Sequence, residues 1–283
     1  MSYKLMVTGC NGQLGKALQK LTAEDPAFEY VGSDVPELDI TDSEALIKYV
    51  SELKPDVIIN CAAATNVDGC EKDEDLAFKI NALGPRNLAI AASAVEAKLI
   101  HISTDYVFPG DGETPRVETD PVGPKSAYGR TKLAGEDFVK TFAKKWFIIR
   151  TAWLYGEGKN FVRTMLKLSE TRDSISVVDD QLGNPTSALE LARGILKLVP
   201  TQLYGIYHGT CEGICSWADF TEEIFRIKGI STEVVHISSA EYKKNYPESA
   251  DRPSFSALDN RMFRLNLGYS FKDWKDALEE YLK

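Results

Sequence analysis

Short, mostly apolar runs recur along the first half of the chain, each separated from the next by a longer stretch whose apolar residues repeat at helical spacing. The runs are Lys4-Leu5-Met6-Val7, Phe28-Glu29-Tyr30-Val31-Gly32, Val57-Ile58-Ile59, Leu99-Ile100-His101-Ile102 and Phe147-Ile148-Ile149. A strand that is apolar at consecutive positions is covered on both faces, which means a parallel sheet between layers of helices. Strand and helix alternating at this rhythm predict an α/β fold, a Rossmann-type doubly wound parallel sheet. Leu14, Ala17, Leu18 and Leu21 mark the first helix. Thr41-Asp42-Ser43-Glu44 reads as a capping box opening a second, which runs through Leu53 and ends at Pro55. Further helices are expected from about Glu71 to Ala94, broken near Gly84-Pro85, and from Ser126 to Lys144.

Beyond Thr151 the rhythm loosens. Short strands at Ser176-Val177-Val178 and Gly205-Ile206-Tyr207 mix with helices near Leu189 to Leu198 and Trp217 to Ile227. The expected division is residues 1–150 as a sheet domain and residues 151–283 as a smaller lobe, with some segments of the lobe returning to the sheet.

Composition narrows the partners. The chain carries 33 Lys and Arg against 42 Asp and Glu, a net charge of −9, which argues against a general nucleic-acid or anionic-membrane surface. No stretch is long and apolar enough to span a bilayer: Leu88 to Val95 stops at Glu96 and Lys98. Met1-Ser2-Tyr3-Lys4 runs into the first strand without a signal-peptide layout, so the expected location is the cytoplasm. Five scattered cysteines and three histidines, His101, His208 and His236, give no zinc-type spacing, and no metal site is expected.

Gly9-Cys10-Asn11-Gly12-Gln13-Leu14-Gly15 lies between the first strand and the first helix. Glycines there let the backbone turn tightly and approach a pyrophosphate, whose charge meets the free N–H groups of the helix start. The spacing is G-x-x-G-x-x-G, where the standard fingerprint is G-x-G-x-x-G. Asp34 follows the second strand at about the distance at which an acid binds ribose hydroxyls, and it tips the balance toward NADH over NADPH. Gly9, Asn11, Gly12, Gln13, Leu14 and Asp34 are therefore candidate cofactor residues. Asp39-Ile40 are expected beside the adenine, and Cys61, Ala62 and Ala63 after the third strand have side chains small enough to lie against the cofactor.

Ser126-Ala127-Tyr128-Gly129-Arg130-Thr131-Lys132 opens a helix, and the four-residue step sets Tyr128 and Lys132 on one face. A phenol near its ordinary pKa of about 10 is a poor acid, and a neighbouring ammonium favours its ionised form. Lys132 is also placed to hold the nicotinamide ribose. Ser103-Thr104-Asp105 follows the fourth strand, at the strand ends where ligands bind in such sheets. Thr104 there can hold a carbonyl oxygen while Tyr128 supplies the proton. The candidate catalytic set is Thr104, Tyr128 and Lys132.

On these motifs the chain resembles the extended short-chain dehydrogenase/reductase superfamily and, within it, the dTDP-4-dehydrorhamnose reductase family. The resemblance covers nearly the whole chain. Val7 to Gly15 and Tyr128 to Lys132 are superfamily-wide, whereas Asp105-Tyr106-Val107-Phe108 and Gln181-Leu182-Gly183-Asn184-Pro185-Thr186 are narrower. Pro55 to Asp68, Arg150 to Gly156, Arg252-Pro253 and Leu258-Asp259 extend it. It implies reduction by NADH or NADPH of the C4 ketone of dTDP-4-dehydro-L-rhamnose, with Tyr128 protonating the new alkoxide. The positions lining the sugar fall on Thr65, Val67, Thr104, Tyr106, Tyr128 and Trp153, with Arg252 facing the diphosphate.

Some relatives carry a carboxylate two residues after the third glycine that helps a metal bridge a homodimer. Ala17 stands there, so no metal-bridged dimer is expected, and a homodimer formed otherwise stays open. A related 4,6-dehydratase needs an acid pair after the threonine, and Tyr106 occupies the second place. Two alternatives stay open on sequence: a reductase of another nucleotide keto-sugar, and a non-catalytic NAD(P)-binding regulatory subunit resembling that of methionine adenosyltransferase.

Overall fold

The computed structural model describes residues 2–283. In chain order the first half runs β1 (Tyr3–Thr8), α1 (Gln13–Ala23), β2 (Phe28–Ser33), α2 (Ser43–Leu53), β3 (Val57–Asn60), α3 (Val67–Lys72), α4 (Glu74–Phe78), a π-helical turn (Lys79–Leu83), α5 (Gly84–Ala94), β4 (Lys98–Thr104), α6 (Ala127–Phe142) and β5 (Trp146–Thr151). The second half adds β6 (Leu154–Tyr155), α7 (Phe161–Ser169), β7 (Ser174–Val178), β8 (Leu182–Gly183), β9 (Thr186–Ser187), α8 (Ala188–Leu198), β10 (Gly205–His208), β11 (Cys215–Ser216), α9 (Trp217–Lys228), β12 (Glu233–Ile237), α10 (Ser239–Asn245), α11 (Arg261–Leu267) and α12 (Trp274–Leu282).

Six strands form one parallel sheet in the order β10-β5-β4-β3-β1-β2. The chain winds outward from β1 to β2, then returns to β3 and continues through β4 and β5 to β10. The direction reverses between β1 and β3, and the crevice beyond the strand ends at such a switch point is where these sheets bind ligands. Strand alternation splits the core in two. Leu5, Val7, Val57, Ile59, Ile100, Phe147 and Ile149 point to one face, under α1, α8 and Phe263 of α11. Met6, Ile58, Leu99 and Ile148 point to the other, under α2, α5 and Val139 of α6. The near-continuous apolar runs are thus two interleaved faces, each buried.

Two local features differ from the sequence expectation. Asp42, not Thr41, caps α2: its carboxylate accepts from the N–H of Ala45, while the N–H of Thr41 is used by Asp39. The long helix expected over Glu71 to Ala94 breaks earlier, at Asp73, whose carboxylate caps α4. At Gly84-Pro85 it does not break, because the preceding π turn leads into α5 with Pro85 in the first turn, where its missing N–H is not needed.

The remaining strands form three two-stranded sheets, β6-β9, β7-β12 and β8-β11. They surround a third core in which Tyr155, Phe220, Ile224 and Trp274 pack with helices α7, α9 and α12. β10 and α8, also from the second half, belong to the main sheet and its cover.

Candidate active site

A cavity of about 1420 Å³ runs along the carboxyl ends of the strands, from Asp34 and Ile40 at one end to Trp217 and Tyr242 at the other. Every candidate residue named from the sequence lines it except Asn11. Asn11 is exposed, and its backbone N–H donates to Asp34 Oδ2 at 3.0 Å, so it shapes the turn from outside.

At the end formed by the first helix turn the glycines are set by close approach. Gly9 has φ of +67°, and a Cβ there would fall 2.7 Å from the Ala62 nitrogen. A Cβ on Gly15 would fall 2.5 Å from Cys10 Cα, so the first turn of α1 lies against the glycine turn itself. No side chain caps α1, and its first turn holds no acid. Its leading N–H groups are therefore available to an anion, as a pyrophosphate requires. Asp34 Oδ1 accepts from the N–H of Val35, which fixes the carboxylate at the mouth of this end. No Lys or Arg lines the stretch from Thr8 to Ala63.

Behind the turn, Asn60 joins three strands. Its Oδ1 accepts from Thr8 Oγ1 and from the N–H of Ala62, and its Nδ2 lies 3.0 Å from His101 Nδ1. Asn81, in the π turn, holds the next loop: Oδ1 accepts from the N–H of Ala64, and Nδ2 donates to Ala64 O and to Thr131 Oγ1 on α6. The sequence reading missed both, because all their partners but one lie 17 to 52 residues away and follow no local period.

α6 begins beneath the middle of the cavity. Ser126 caps it, Glu71 Oε1 accepts from the N–H of Ala127, and Arg130 is held by both oxygens of Glu74. The helix start is thereby fixed to α3 and α4. Gly129 lets it pass close to Tyr106, whose carbonyl oxygen would be 2.2 Å from a Cβ there.

Thr104, Tyr128 and Lys132 meet on one wall. Tyr128 packs edge-on against Tyr106, ring centroids 5.4 Å apart, and lines the cavity together with Thr104. Thr104 Oγ1 donates to Asp105 Oδ1 at 2.8 Å. Lys132 Nζ donates to the Ile102 carbonyl at 2.6 Å. Burial pushes the Tyr128 phenol up, and the Thr104 hydroxyl is the leading influence in the other direction. Burial lowers Lys132 to about 8, opposed first by Glu136. Burial raises Asp105 to about 6, opposed first by the hydrogen bond from Thr104.

The far end is aromatic. Trp153, with φ of +45°, stacks face to face on Trp217 at 3.5 Å. A Cβ at Gly183 would lie 2.6 Å from the Trp153 ring, which explains the glycine in the Gln181-to-Thr186 stretch. Arg252 Nη2 donates to Asp68 Oδ1 at 3.0 Å, and the Ala250 N–H donates to the same oxygen, so the segment after α10 is tied to α3 across the cavity. Trp217 was not singled out from sequence, since its only mark there is a helix start 64 residues from its stacking partner.

The family profile described as RmlD substrate binding domain matches residues 3–283. A dTDP-4-dehydrorhamnose reductase from Clostridium acetobutylicum has a crystal structure that superposes with a TM-score of 0.95 at 50% identity, covering 99% of this chain and 98% of that one. The enzyme of the same name from Bacillus anthracis, solved in complex with NADP, superposes at 0.94 with 43% identity, covering 99% of each chain. A dTDP-4-dehydrorhamnose reductase from Aggregatibacter actinomycetemcomitans is 38% identical over 98% of this chain and 97% of its own length.

Proposed function

The chain belongs to the RmlD substrate binding domain family, and on that premise we propose that it reduces the C4 ketone of dTDP-4-dehydro-L-rhamnose, with NADH or NADPH, to dTDP-L-rhamnose. The observation that carries the reading is the convergence of Thr104, Tyr128 and Lys132 on one wall of a cavity whose other end is the glycine turn.

The cofactor end fits a dinucleotide. Gly9 and Gly15 stand where no Cβ can, the start of α1 has no side-chain cap, and Cys61, Ala62 and Ala63 present a low wall. Asp34 would receive ribose hydroxyls, and a carboxylate with no cation beside it disfavours a 2′-phosphate, so NADH is the preferred partner. Asp39 and Ile40 would flank the adenine.

When bound, the reduced nicotinamide supplies the hydride for the carbonyl carbon. Tyr128 gives its proton to the carbonyl oxygen as that oxygen gains charge, and Thr104 orients the same oxygen. Lys132 holds the nicotinamide ribose and stabilises the phenolate left on Tyr128. The Trp153–Trp217 stack, with Thr65, Val67 and Tyr106, forms the sugar wall, and Arg252 reaches the diphosphate. Residues 1–150 would thus carry the cofactor and the reacting groups, while residues 151–283 mainly shape the sugar end.

The test follows absorbance of the reduced nicotinamide with purified chain, each cofactor in turn, and dTDP-4-dehydro-L-rhamnose generated in place. Oxidation that needs both sugar and protein is expected, faster with NADH. Cofactor binding without oxidation, with this sugar and with other nucleotide keto-sugars, would overturn the reading in favour of a binding subunit.

A further inference from the structure

Beneath the reacting centre lies a buried polar cluster that the reduction chemistry above does not use. On β4, strand alternation sends Leu99, His101 and Ser103 toward the α6 face, and on β5 it sends Ile148 and Arg150 the same way. Ser103 and Arg150 are register partners, one residue before the paired Thr104 and Thr151. Glu136 is one helical turn beyond Lys132 on α6. Its Oε1 accepts from Ser103 Oγ at 2.6 Å and from Arg150 Nε at 2.9 Å, and its Oε2 accepts from Arg150 Nη2 at 2.7 Å. The Arg150 guanidinium lies over the Phe108 ring, 5.0 Å from its centroid. Exposure is 2% for Lys132, 0% for Glu136 and 2% for Arg150, so water screens none of these charges.

Stability is a weak reason to keep an ion pair there, because apolar residues of similar volume commonly do as well. The charge count says more. Two cations lie near one carboxylate in a dry layer: Arg150 grips it, and Lys132, one helical turn away, donates to the Ile102 carbonyl. The other titratable groups facing Lys132 are Cys61 after β3, His101 on β4 and Tyr128 on its own helix, while His208 of β10 lies toward Arg150. Burial holds His101 and His208 neutral and Cys61 as a thiol. Glu136 is the anion of the cluster.

We propose that Glu136 is a positioning residue for the reduction: its carboxylate clamps the helix bearing Tyr128 and Lys132 to the strand ends bearing Thr104, and sets a negative charge one helical turn from Lys132. The proposal rests on the role given to Lys132 above. Glu136 acts through Lys132 and touches neither sugar nor cofactor. Its geometry suits both tasks, since one carboxylate bridges α6, β4 and β5 directly under the three reacting side chains.

Competitive acetylation with acetic anhydride, read by mass spectrometry on the Lys132 peptide across pH, follows the ammonium directly in the ligand-free chain. The wild-type inflection is expected near 8. Glu136→Gln keeps the shape and a partner for Ser103 but removes the charge. It should move the inflection down by about one pH unit or more, a tenfold rise in the ratio of uncharged to charged Lys132 at pH 7. The double variant Glu136→Gln/Arg150→Met removes the buried pair together, guards against a single variant that fails to fold, and should move it in the same direction. In steady state, the pH above which kcat falls should move with the inflection. An unmoved Lys132 inflection in both variants overturns the proposal, and a uniform loss of kcat at every pH is then the mark of a purely structural pair. Failure of the functional reading looks different: wild-type chain without sugar-dependent oxidation, its Lys132 inflection still responding to Glu136→Gln.

Discussion

Tyr128 is half-buried and Asp105 buried, the two separated by one hydroxyl, and desolvation raises both acids. For the proton donor proposed above that is useful, because a phenol kept neutral until charge develops on the substrate oxygen gives its proton only then. Tyr128→Phe removes this donor and leaves the ring in place against Tyr106. Turnover should fall by about 10²- to 10⁴-fold, while cofactor binding, followed by nicotinamide fluorescence, stays near wild type. Near wild-type turnover would mean the proton comes from elsewhere. For Asp105 burial is a liability. Its carboxyl titrates at about 6 in the folded chain against 3.8 ordinarily. Between those values the folded state binds a proton the unfolded chain has lost, so stability falls as pH rises from about 4 to about 6 and stays reduced above. Asp105→Asn escapes this loss and still accepts from Thr104. It should raise Tm at pH 7 by the equivalent of roughly 1–3 kcal/mol, with the gain gone below pH 4. Calorimetry at the two pH values checks it, and an equal gain at both would assign the effect to packing.

At the scale of elements, the site depends on how closely α6 can approach its neighbours. A Cβ on Gly135 would lie 2.2 Å from the Asn81 carbonyl oxygen, a backbone atom of the π turn that cannot swing aside. Gly135→Ala must therefore push α6 away from the turn, and with it the register of Lys132 and Glu136. A loss of about 1–3 kcal/mol is expected from overpacking, with kcat falling more than KM rises, and urea unfolding beside kinetics reads both. Unchanged stability would show that the turn yields instead. What was legible in the sequence follows the same division. Tyr128 and Lys132 could be paired because they share one helix with a fixed period, and the glycine turn because strand, turn and helix are consecutive. The capping of α2 was displaced by one residue, since Thr41, Asp42 and Ser43 are all competent caps and only the turn at Asp39 decides among them. The break at Asp73 did have a local mark, an aspartate whose carboxylate caps α4 through the N–H of Leu76 three residues on, whereas the Asn81 clasp, the Glu136–Arg150 pair and the Trp153–Trp217 stack rest on contacts between distant residues, for which a single sequence carries no local signal.

In the whole molecule the order of the chain and the order in space diverge. The division expected at residue 150 leaves Thr65, Val67 and Tyr106 of the proposed sugar wall on the glycine-turn side, and the sheet does not stop there either. β10 pairs with β5 along its length. α8 lays Leu191, Ala192, Ile195 and Leu198 over Leu5, Val7, Leu14 and Leu18, and all are buried. The chain thus returns from the sugar end to finish the face of the sheet that α1 begins to cover. A fragment of residues 1–150 would keep the glycine turn, Asp34, Thr104, Tyr128 and Lys132, yet it would expose that apolar face and leave β5 as a bare edge, a surface prone to association. It is expected to aggregate or to give a broad, uncooperative melt, and to bind NADH at least tenfold more weakly than the full chain. Adding residues 151–210 supplies α8 and β10 and should restore much of the solubility, though not turnover, since Trp217 and Arg252 lie beyond. Size-exclusion chromatography, thermal melts and nicotinamide fluorescence on the two fragments give the comparison. A monomeric residue 1–150 fragment that melts cooperatively and binds NADH like the full chain would show that the cofactor end completes its own core, and that α8 and β10 are cover rather than structure.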